Sequence, residues 1–146
     1  DSEQAAEYDM PEDNKESMPD QYKTVSLEEF VEYSKSMFAY WTEDDFASSF
    51  RKMLTIEQFR SEEMQGLYQQ YLSSGPAAYV KDLFESMGIA HAEENAVRFY
   101  ATMYFYYSVY DGADDKEKVK NEFASAIGSM AQEWIKQPKL TQIRKS

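Results

Sequence analysis

The chain contains no cysteine, and among its 146 residues it has a single histidine, five glycines and four prolines. Without cysteine there is no disulfide framework and no thiolate metal site. One histidine with no thiol partner does not make a zinc site. His91 lies in a loop-like stretch beside Glu93 and Glu94 and reads as a solvated loop residue. A Glu-x-x-His pair for a di-metal bundle is missing too. So are a Gly-rich phosphate loop, a nucleophile elbow and a zincin motif. The many carboxylates fall on N-terminal turns and polar faces, where capping and solvation account for them. The expectation is therefore a non-enzymatic protein with no metal and no cofactor.

Basic residues are also scarce: 15 Lys and Arg stand against 27 Asp and Glu, a net charge of −12. Residues 1–20 alone carry eight acids against Lys15, or −7, leaving −5 for the rest. Such a surface repels phosphate backbones, so the chain itself should bind nucleic acid poorly. No apolar run is long enough for a bilayer, so no membrane partner is expected. The start is acidic and lacks an apolar core segment, unlike a signal peptide, which makes the cytoplasm the expected location.

What the chain has in quantity is aromatic and apolar residues, 16% and 42% of the total, enough for a folded core. The richest stretch is Asn95 to Tyr110, NAVRFYATMYFYYSVY, in which Arg98 is the one formal charge. Seven of the twelve residues from Phe99 to Tyr110 are aromatic. At helical spacing it carries two apolar stripes. Ala96, Phe99, Met103, Tyr106 and Tyr110 form one, and Val97, Tyr100, Tyr104 and Tyr107 the other. A helix apolar nearly all round must be covered nearly all round. Its own domain would cover one side and a second copy of the chain the other.

Other helices follow from start signals, stop signals and period. Ser26-Leu-Glu-Glu29 is a capping box, opening a helix to about Tyr40. Thr42-Glu-Asp-Asp45 starts the next, with Phe46, Phe50, Met53 and Leu54 as its buried face. Thr55 to Arg60 reads as a short connection or a helical turn. Ser61-Glu-Glu63 opens a third, where Gly66 signals either close packing or slack. Ser73-Ser-Gly-Pro76 ends that helix and starts a fourth, with Pro76 placed first and Gly88 as the C-cap. After the aromatic helix, Asp111-Gly112 is a stop. Asp114 or Asp115 then caps a long helix to about Lys136, seamed by Val119, Phe123, Ile127, Met130 and Trp134. No strand-like alternation of useful length occurs. The fold is expected to be all-α, with about six helices. Residues 1–25 read as a flexible acidic lead-in, 26–137 as one helical domain and 138–146 as a polar tail.

Twelve tyrosines and eight methionines exceed what such a core needs. A buried phenol wants a hydrogen-bond partner, and several together can line a pocket for a molecule that is part apolar and part polar.

The run TEDDFASSFRKMLTIEQFRSEEMQGLYQQYLSSGPAAYVKDLFESMG, Thr42 to Gly88, resembles the C-terminal regulatory domain of TetR-family transcriptional regulators. The aromatic helix and the closing amphipathic helix continue the resemblance, which spans roughly Ser26 to Lys136. Its most telling parts are Arg51 to Arg60 and Tyr71 through Phe84. The resemblance implies an effector-binding and dimerisation domain in which the last two long helices form a dimeric four-helix bundle. The implied pocket takes a small, largely apolar or aromatic effector. Tyr33, Met37, Trp41, Phe50, Tyr68, Tyr79, Tyr100, Tyr104 and Tyr107 would line it. The implied dimer interface comprises Phe99, Met103, Tyr106, Phe123, Ile127, Met130 and Trp134. Such regulators begin with a helix-turn-helix domain of about fifty residues, whereas residues 1–25 are acidic and proline-broken. A chain cut to its regulatory half is the favoured expectation, with DNA contacted only through the missing domain. The rival expectation is a helical protein-interaction module without a pocket.

Overall fold

A computed structural model describes residues 25–136. The lead-in expected over 1–25, apart from Val25, and the tail expected over 138–146 lie outside the described residues, while Val25 is partly buried against the core. Within them the chain is all-helical. The six helices are α1 (Leu27–Glu43), α2 (Asp45–Glu57), α3 (Glu62–Leu72), α4 (Ser74–Ser86), α5 (Ala92–Gly112) and α6 (Lys116–Lys136).

Local chemistry sets most boundaries. Ser26 and Glu29 form the reciprocal capping box of α1, at 3.1 and 2.9 Å. Asp44 accepts the Ala47 amide to start α2, Ser61 accepts Met64 to start α3, and Asp115 accepts Lys118 to start α6. Beyond α4, Gly88 takes φ 76°, its amide donates to Glu85, and Ile89 donates to Phe84. This is the Schellman arrangement that the position of Gly88 suggested.

Some boundaries differ from expectation. Thr42 does not open α2. It is buried in the last turn of α1, where its hydroxyl donates to the Phe38 carbonyl at 2.7 Å. The helix α2 continues to Glu57, through part of the expected connection. α5 starts three residues early, and His91 precedes it with φ 53°. Pro76 is third in α4, still inside the first turn, where no amide is needed.

The aromatic centre of the core lies between α1, α4, α5 and α6, and Ala47 and Leu54 of α2 with Tyr68 and Leu72 of α3 extend it. Phe30 of α1 packs edge-on against Phe84 and Trp134 and tilted against Phe99. Phe38, two turns on, stacks on Phe123 at 4.3 Å and on Tyr107 at 5.6 Å. Each such ring pair adds about 0.5–1.5 kcal/mol beyond simple burial.

These contacts correct the expected dimer interface. Phe99, Met103, Phe123, Ile127 and Trp134 are buried in the core of a single chain. Tyr106 and Met130 are half-buried against that core. The stripe is covered from inside because α1 lies across α5 and α6. The aromatic helix is nonetheless two-sided. Its outward face carries Val97 at 54% exposure, Phe105 at 59% and Tyr104 at 39%.

A second correction concerns α2. Its inner face is Ala47, Arg51 and Leu54, while Phe46 and Phe50 are half-buried and Met53 is exposed. An arginine occupies the place expected for an aromatic.

Candidate functional site

Close backbone packing joins α5 to α4, α6 and α1. By contrast, α2 and α3 reach α5 through long polar side chains, which form a seam down one face of α5. Its first member is Tyr100, whose hydroxyl donates to the Leu72 carbonyl at 2.6 Å. Leu72 ends α3, and the last carbonyls of a helix have no partner within it. One turn on, the Tyr104 hydroxyl shares a hydrogen bond with that of Tyr68 on α3. Next comes Tyr107, its ring sandwiched between Phe38 and the Arg51 guanidinium, which lies 4.9 Å from the ring centroid. The seam closes at Asp111, paired bidentately with Arg51 at 2.9 and 2.7 Å. The Arg51 Nε donates to the Trp41 carbonyl at 3.0 Å, capping the end of α1.

Arg51 is 5% exposed and is the one charged side chain among the buried described residues. Isolated in a core it would cost several kcal/mol, so this packing requires an anionic partner, here Asp111. The phenols respond to the same surroundings. Burial pushes Tyr68 up to about 12, helped by the shared hydrogen bond with Tyr104 and opposed by the Gln58 side chain. Burial raises Tyr100 and Tyr107 further, with the Arg51 charge opposing the shift in both. All three therefore stay neutral donors at physiological pH.

Of the nine residues expected to line a pocket, the structure gathers Tyr68, Tyr100, Tyr104 and Tyr107 into this seam. Trp41 joins through its carbonyl. Tyr33 is near enough to Tyr107 to influence its ionisation. Met37, Phe50 and Tyr79 are half-buried against the core, Phe50 meeting Tyr71 edge-on at 5.3 Å. The charged members, Arg51 and Asp111, were not among the expected residues. The available signal was spacing: Arg51 falls four residues after Ala47 and three before Leu54, on one helical stripe.

Among the described residues no group of His, Asp or Glu could hold a metal ion. None of their helices is long and apolar enough to cross a membrane. Comparison with known proteins found no matching family model, no matching curated protein and no matching solved structure.

Proposed function

We propose that this chain is the effector-binding and dimerisation domain of a TetR-like transcriptional regulator acting in the cytoplasm. DNA reading would belong to a separate helix-turn-helix domain of the parent protein. The observation that carries the reading is the polar seam. Four tyrosines, an arginine and an aspartate meet between α5 and the α2–α3 pair, where side chains rather than close backbone packing fill the gap. A core built for stability alone would fill that gap with apolar groups, since buried polar networks gain little over hydrophobic packing. Helix capping explains the Tyr100 and Arg51 Nε bonds. It does not explain the Tyr68–Tyr104 pair, which holds two hydroxyls together at a half-open edge. A small aromatic molecule entering there would meet ring faces and hydroxyl donors at once.

Dimerisation would use the outward face of α5, with Val97, Ala101 and Phe105 against the same face of a second copy. The test of the effector site is Tyr104→Ala, assayed by calorimetric titration of small aromatic compounds. Binding should weaken about tenfold or more while the helical circular dichroism is unchanged. Binding that ignores Tyr104 would remove the seam as the site.

A second reading has its own support. Ile56 and Phe59, at the end of α2, are 73% and 84% exposed, beside the exposed Met53. That apolar knob suits a protein-interaction module. A Phe59→Ser variant with normal effector binding but lost capture of a partner would favour it.

A further inference from the structure

We propose that the effector is an acidic aromatic molecule whose carboxylate takes the place of Asp111 on the Arg51 guanidinium. This rests on the seam being an effector site and specifies the charge of the molecule it takes.

Asymmetry within the Arg51–Asp111 pair motivates it. The Arg51 side chain is 6% exposed and the Asp111 side chain 30%. The cation is fixed from three directions, by Asp111, the Trp41 carbonyl and the Tyr107 ring. The anion sits on the last turn of α5, where the helix dipole disfavours negative charge. Asp111 is thus the solvent-facing and weakly placed member. A guanidinium presents the same planar fork to any carboxylate. Exchange of one carboxylate for another therefore never leaves the buried cation unpaired, which is the costly state.

The surroundings suit an aromatic body behind that head group. Tyr107 lies under the guanidinium, and the Arg51 charge is felt at Tyr100. Tyr104, 39% exposed, offers a ring and a hydroxyl. A cationic effector is drawn by the net charge of −12, but in the seam it would meet a buried cation. A neutral one would leave the ion pair intact. The structure therefore distinguishes three charge classes and favours the anion.

The experiment uses the full 146-residue chain and three probes that share one ring: phenylacetate, phenethylammonium and phenethyl alcohol. Each is titrated calorimetrically against the unaltered chain, Tyr104→Ala and Asp111→Asn. Phenylacetate should bind, lose affinity in Tyr104→Ala, and gain about tenfold in Asp111→Asn, because the competing internal carboxylate is gone. The other probes should not gain from Asp111→Asn. An unchanged or weaker phenylacetate affinity in folded Asp111→Asn overturns the exchange. If that variant does not fold, the Arg51 guanidinium resonances of the unaltered chain decide. They should shift with phenylacetate and not with phenethyl alcohol, and the absence of that shift overturns the proposal. Tyr104-dependent binding of only the alcohol or the ammonium would keep the effector site and discard the charge assignment. No binding by any probe would discard both.

Discussion

Removing the Tyr100 hydroxyl and removing the Tyr104 hydroxyl should have different costs. Tyr100→Phe leaves the Leu72 carbonyl buried at the end of α3 without its donor. The expected loss is about 1–2 kcal/mol in urea unfolding, the cost of an orphaned buried acceptor. Tyr104→Phe leaves Tyr68 with Gln58 still in reach, so about 0.5–1 kcal/mol is expected. Equal losses would mean the seam is not ordered as described. Three buried phenols of the seam set the alkaline limit. Tyr68, Tyr100 and Tyr107 are all raised above the ordinary tyrosine value by burial. Above about pH 10 the unfolded chain releases these protons while the folded chain keeps them, so stability falls as pH rises. It is fully present below about pH 10. The loss per phenol is about 1.4 kcal/mol per pH unit, ending for Tyr68 at about pH 12. Urea unfolding between about pH 8 and 11 should be flat at first and then decline, and less steeply in Tyr68→Phe. A profile that is flat throughout would contradict the burial of all three phenols.

Glycines separate what helices tolerate from what they require. Gly66 lies in the interior of α3, and a Cβ built there meets nothing within 4 Å. Of the two meanings that Gly66 could have, slack is correct. Gly66→Ala should stabilise by about 0.5–1 kcal/mol through helix propensity. Gly75 is the opposite case. A Cβ there would overlap the Gln70 carbonyl, because only Ser73 separates α3 from α4 and the chain doubles closely on itself. Gly75→Ala should cost about 2–3 kcal/mol, since backbone must move. Thermal unfolding of the two variants side by side checks both, and shifts of the same sign would refute the distinction. These elements also show what could be read from sequence. Helix starts followed from Ser26, Ser61 and Asp115 because a cap is chemistry between neighbours. The inner face of α2 could not be read that way. Leu54 is inside as expected, but Phe46, Phe50 and Met53 are larger and more apolar than Ala47 and Arg51, so size pointed away from the other two buried residues. Arg51 goes inside because Asp111, sixty residues away, neutralises it, and no local pattern reports a partner that distant.

At the scale of the whole molecule, the Tyr100, Tyr104 and Tyr107 stripe meets the chain's own α2 and α3, and the Phe99, Met103 and Tyr106 stripe meets the closing helix rather than a partner. Spacing shows that two stripes exist. Both meet the chain's own core, because α1 brings Phe30 onto Phe99 and Phe38 onto Tyr110 and Tyr107. This changes how dimerisation must be tested. Phe123 and Trp134 are 1% and 4% exposed, so a charged residue at either should unfold the monomer and reveal nothing about assembly. The informative positions are Val97 and Phe105, eight residues apart and on one face of α5. In a two-fold antiparallel pairing centred on Ala101, Val97 of one copy would meet Phe105 of the other, and the small central residue would let the helices approach. One chain is 17.1 kDa. Light scattering of the unaltered chain should give twice that mass, and Phe105→Glu should give the single-chain mass with the urea midpoint little changed. The last condition distinguishes an interface from a core. A variant that stays dimeric places the contact elsewhere, and one that unfolds shows that Phe105 supports the monomer.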